Sequence, residues 1–143
     1  MASPAWQASL HQSRSKKRLR KTDLLPLPKQ IADVLSLEYH LLLESLRAGT
    51  GHFHNLQIIL RVGLATSLLS SDGYGDLNHD FAMLEAAAHR SFEQGMEKGV
   101  FEFDGPTFSM FAHVLTVHDQ QIARAPVVAI ERLADRMEGM SGR

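Results

Sequence analysis

Histidines and carboxylates are the side chains of this chain with the most chemical capacity. There are eight histidines and no cysteines among 143 residues. The histidines are His11, His40, His52, His54, His79, His89, His113 and His118. The absence of thiols excludes disulfides, thiolate zinc sites and cysteine nucleophiles. His52-x-His54 stands at the start of a predicted helix, and Glu85-x-x-x-His89 lies along one helical face. His113 and His118 are separated by about 140° around a helix and so point in different directions. A di-iron carboxylate bundle needs Glu-x-x-His on two helices, and a zinc protease helix needs His-Glu-x-x-His. Neither pattern occurs. A metal site would have to be assembled from separate helices, with His89 and His113 as its candidates. Otherwise the histidines are surface and helix-end residues, some of them responsive to pH.

The other motifs fail at identifiable positions. Asp76-x-Asn78-x-Asp80 imitates the opening of a calcium loop, but Phe81 and Ala87 stand where such a loop needs glycine and glutamate. The acids are better explained as helix capping. Gly73-Tyr74-Gly75 lacks the third glycine and the preceding strand of a phosphate loop. There is no G-x-S-x-G elbow. Glu93 and Glu97 are one helical turn apart, the spacing of a solvated face. No catalytic constellation emerges, so the expectation is a protein that is not an enzyme and carries no cofactor.

Charge gives a more direct signal. Residues 1–29 hold seven basic residues against the single acid Asp23, whereas residues 30–143 hold eight against fifteen acids. The formal net charge of −1 therefore hides a basic arm on an acidic body. Arg14, Lys16, Lys17, Arg18, Arg20 and Lys21 form a dense cluster that can neutralise phosphates and give salt-dependent affinity without sequence specificity. Trp6 lies outside the cluster, so base stacking is not indicated. Competing readings are a solvating tail, an arm folded onto the acidic body, and a contact with anionic lipid.

The elements that must position these groups follow from apolar spacing. Residues 1–22 are polar, basic and aperiodic, which predicts disorder in isolation. Pro26 and Pro28 then enforce extended backbone, with Leu24, Leu25 and Leu27 available as anchors. A first helix is predicted from about Lys29 to Ala48, on Ile31, Leu35, Leu42 and Leu46, and Gly49 and Gly51 stop it. A second, from about His52 to residue 70, is apolar over most of its circumference and should be central. A third is predicted over 77–98 on Leu77, Phe81, Leu84, Ala88, Phe92 and Met96, capped by Asp76 or Asn78. Val100–Asp104 reads as an extended connection that tucks Phe101 or Phe103 into the core. A fourth helix covers 107–138, and Pro126 kinks or splits it. The predicted core is Leu35, Leu42, Phe53, Leu60, Leu64, Phe81, Leu84, Ala88, Phe92, Phe111, Leu115 and Ile130.

The expected class is all-α: an antiparallel four- to five-helix bundle over 29–140, preceded by a disordered basic arm and Pro-containing linker over 1–28. No apolar run approaches the roughly 18–20 residues of a membrane span, and no signal-peptide core is visible, so a cytoplasmic location is expected. The central second helix needs cover on several sides, which a second copy could supply. The combined expectation is a small bacterial-type accessory or regulatory protein. Its body would bind protein, itself included, and its arm would contact nucleic acid. The alternative is a helical bundle that uses histidines and acids to bind a metal or small ligand.

Overall fold

The computed structural model describes residues 19–141, and they form an all-α helical bundle. Five α-helices follow one another through short connections: α1 Lys29–Ala48, α2 Phe53–Ser71, α3 Phe81–Lys98, α4 Gly105–Arg124 and α5 Val127–Ser141. A 3₁₀ turn at Lys21–Leu24 precedes them. None of the described helices is long and apolar enough to cross a membrane.

Each boundary has a local cause. Gly49 takes the left-handed conformation at φ 75°, and its N–H and that of Thr50 both close on the Ser45 carbonyl, which ends α1. Gly99, at φ 77°, ends α3 in the same way. The Asp104 carboxylate accepts the Thr107 N–H at 2.8 Å, with Pro106 in the first turn of α4. Hydrogen bonding by the Thr107 side chain, and then by its N–H, holds the Asp104 carboxyl below the usual carboxylate range.

One boundary differs from expectation, and a second settles that Pro126 splits its helix and does not merely kink it. The third helix starts at Phe81, not at residue 77. Ser70 Oγ holds the preceding loop by accepting the Leu77 N–H at 3.0 Å and donating to the Gly75 carbonyl at 3.3 Å, so Asp80 takes the N-cap position. The predicted fourth helix is two helices. Ala125, forced extended by the following proline (ψ 132°), separates α4 from α5.

The main core joins α1 to α4. Leu43, Leu46, Leu56, Ile59, Val62, Leu84, Ala88, Phe103, Phe111, Val114 and Leu115 are all buried. Phe103 stacks on Phe111 at 5.1 Å, and its N–H donates to the Leu46 carbonyl at 2.9 Å. The expected extended connection is thereby fixed to the end of α1. Of the predicted core, Leu84, Ala88, Phe111 and Leu115 are fully buried, and most of the others are half-buried. Phe53 is an exception. It is 43% exposed and meets Phe92 and Phe101 with its ring at 5.2 and 6.0 Å, because the first turn of a helix has no layer above it.

Helix α2 is central, in contact with α1, α3, α4 and α5. Within the chain its cover comes from all four of these helices. A smaller seam joins Leu27, Ile122 and Val127, with Ile31, Leu35 and Ile130 beside them. There the incoming segment is fastened to the start of α5. The Val127 N–H donates to the Leu25 carbonyl at 2.8 Å, and Pro26 pairs with Pro126 in an isolated antiparallel bridge. Leu27 is the anchor here, whereas Leu24 and Leu25 point outward at 59% and 53% exposure. Asp23 is buried, and its carboxylate accepts the Arg20 N–H at 2.8 Å.

Candidate functional site

The buried face of α4 carries Phe111, Leu115 and Ile122, and at the same helical spacing it carries His118, which is only 7% exposed. An imidazole on an apolar stripe needs partners for its nitrogens. Nδ1 lies 3.3 Å from the hydroxyl of Thr66 on α2. The single Thr66 hydroxyl proton already goes to the Val62 carbonyl at 2.8 Å. Oγ1 is thus left as an acceptor, and the His118 contact requires the proton on Nδ1. Nε2 is then a bare lone pair. Burial pulls the His118 pKa from 6.5 down to about 4, against the smaller opposing pull of Asp119, so the ring is neutral at physiological pH. The ring also meets Tyr39 edge-on at 5.7 Å, and burial raises the phenol's pKa.

Gln121, one turn on and fully buried, extends this polar layer. Its amide donates to the Thr66 carbonyl at 3.0 Å and to the Tyr74 carbonyl at 2.7 Å, tying the loop after α2 to α4. The start of the same loop is held at Asp72, whose carboxylate accepts from Arg136 of α5 at 3.0 Å.

His118 also lines a cavity of about 470 Å³ between the first half of α1 and the second half of α4. Leu27, Leu35 and Ile122 contribute apolar walls, and Asp33 and Asp119 contribute carboxylates. Asp119 accepts from His40 at 2.9 Å, which links α4 to α1. His118 Nδ1 faces a hydroxyl and not a carboxylate. These contacts therefore fix one tautomer and keep the ring uncharged.

The histidines singled out from sequence are placed elsewhere. His89 pairs with Glu93 at 2.7 Å on its own helix and stacks over Phe92. His113 meets the ring of His79 at 5.6 Å. Among the described residues no three histidine or acidic side chains converge on one point that could hold a metal ion. Of the basic cluster, Arg14, Lys16, Lys17 and Arg18 lie outside the described residues, as does His11. Arg20 and Lys21 are exposed, where they can reach an anion.

His118 was readable in the sequence but not singled out there. Its spacing to Phe111, Leu115 and Ile122 puts it on the buried stripe, and a histidine at a core position is the signal that separates it from the other seven.

A second surface feature lies on α1. Val34, Leu37 and Leu41 are 65%, 61% and 58% exposed and share one face of the helix. No family model, curated protein or solved structure matches this chain.

Proposed function

We propose that this chain is a small cytoplasmic accessory or regulatory protein whose helical body pairs with a second copy of itself and whose basic arm contacts nucleic acid. The observation that carries the reading is the open stripe on α1. Phe53, Met83 and Met96 are exposed singly, whereas Val34, Leu37 and Leu41 stay uncovered together on one face in the middle of a helix. With Gln30, Glu44 and Ala48 they continue an alternating spacing of four and three, the seam of a two-helix coil. Antiparallel pairing with Leu37 opposite Leu41 covers this stripe with the same stripe of the second copy. The arm supplies the second half of the reading through Arg14, Lys16, Lys17, Arg18, Arg20 and Lys21. An acidic body is repelled by phosphates and stands off, while a basic arm engages them.

Sedimentation velocity on the full chain tests the pairing. The expected result is a dimer that the double substitution Leu37→Asp and Leu41→Asp converts to a folded monomer, since both positions are exposed. Fluorescence anisotropy with a labelled DNA duplex tests the arm. Binding should weaken with salt, with a slope no steeper than about −0.9 per charge engaged, and should vanish when the six basic residues become glutamine. A chain that is monomeric in both forms and does not bind duplex at low salt overturns the reading.

A further inference from the structure

We infer that the cavity between α1 and α4 binds an amphiphilic organic cation, a protonated amine on an apolar body, with His118 and Asp119 receiving the amine. Its volume of about 470 Å³ is in the range that holds small ligands. Leu27, Leu35 and Ile122 give it walls that suit a hydrocarbon or aromatic body. The polar groups decide which end chemistry fits. The Thr66–Val62 hydrogen bond forces the proton of His118 onto Nδ1. The ring therefore offers the cavity an acceptor at Nε2 and no donor. Asp33 and Asp119 add carboxylate acceptors, and the one ammonium on the wall, Lys29, is already neutralised by Asp33 at 2.8 Å. The walls carry two carboxylates against one ammonium. An anion would meet repulsion and an unpartnered lone pair, and a neutral apolar molecule would leave Nε2 without a donor, although Asp119 keeps its bond from His40. A group with N–H donors and positive charge satisfies Nε2 and the Asp119 carboxylate together.

The test uses the full chain at low salt with two probes of matched shape. Tryptamine carries the cation, and indole-3-propionate carries an anion on the same ring. Calorimetric titration gives affinity, and ¹⁵N NMR of selectively labelled histidine reads Nε2 directly. Tryptamine should bind saturably with a Kd below about 1 mM, and the propionate should bind at least roughly tenfold more weakly. The ¹⁵N resonance of the bare His118 Nε2 should shift on addition of the amine. Asp119→Asn, which keeps the shape and can still bond His40, should weaken the amine roughly tenfold or more. Ala123→Phe places a ring into the cavity from an exposed position and should abolish binding while circular dichroism stays unchanged. Absence of saturation at about 10 mM amine, equal affinity for the acid, or an unmoved Nε2 resonance overturns the assignment. The pairing of α1 with a second copy rests on Val34, Leu37 and Leu41, none of which lines the cavity, so either conclusion can fail without the other.

Discussion

Acid should destabilise this bundle through one identifiable residue. His118 is buried and neutral in the folded chain, with its pKa pulled down to about 4, whereas in the unfolded chain it returns to about 6.5. Between these values the unfolded state binds more protons than the folded one, so stability falls as pH falls. At about pH 5 the unfolded imidazole is almost fully charged and the folded one mostly neutral, a difference of about 2 kcal/mol. Below both pKa values the loss approaches about 3 kcal/mol. Carboxylates titrate over part of this range, so the comparison needs a variant that lacks only the imidazole. His118→Asn keeps a nitrogen donor near the position of Nδ1 and can still donate to Thr66. Urea denaturation followed by circular dichroism should find the variant about 1–3 kcal/mol less stable near neutral pH, because part of a packed ring is removed. The gap should then narrow by about 2 kcal/mol on going from about pH 7.5 to about pH 5. If native chain and variant lose stability in parallel, His118 is not held neutral by burial, and the tautomer argument built on Thr66 loses its support.

Other substitutions test the packing. Gly95 lies against the ring of Phe101, and a Cβ there would lie inside van der Waals contact of several ring carbons, including Cγ at 2.6 Å. Gly95→Ala gains about 1 kcal/mol of helix propensity but overpacks by about 1–3 kcal/mol. Chemical denaturation should give net destabilisation, and Phe101→Leu in the same chain should recover part of it. At Gly139, where a Cβ meets nothing within 4 Å, alanine should instead stabilise by up to about 1 kcal/mol. Gln121→Leu should leave the Tyr74 carbonyl without its donor, cost about 1–3 kcal/mol, and speed hydrogen exchange selectively in the loop after α2. Leu46→Ala empties a fully buried site and should lower stability by about 2–5 kcal/mol in the same assay.

Where a boundary depends on glycine or proline, the sequence was legible. Gly49 and Gly99 end helices because the left-handed turn favours a residue without Cβ, and Pro126 interrupts the last periodic stretch. That the interruption is complete and not a bend depends on the Leu25 carbonyl and Pro26, which take up the backbone there. No local pattern encodes a contact so distant in sequence. The start of α3 was ambiguous for a related reason. Asp76, Asn78 and Asp80 are all competent caps, and the choice was made by Ser70, a residue of the previous helix. Phe53 and Val34 show the limit of hydropathy, which marks residues as apolar but does not say whether the fold has a neighbour for each. The candidate cavity was less legible still. His118 could be placed on a buried stripe from spacing, but its tautomer depends on Thr66, and Thr66 is brought to it only by the packing of α2 against α4.

The fastening of the incoming segment to the start of α5 bears on how the chain matures during synthesis. Leu25 and Pro26 leave the ribosome well before their partners Val127 and Pro126 are made. Until then the seam of Leu27, Ile31 and Leu35 has no lid, and a closed body cannot form by vectorial addition of helices. The last helix thus acts as a clasp. A nascent chain halted before it would hold α1 to α4 with an open apolar edge, the kind of surface that chaperones retain and that proteases reach first. Synthesis of α5, and not the accumulation of helix, is then the event that closes the body.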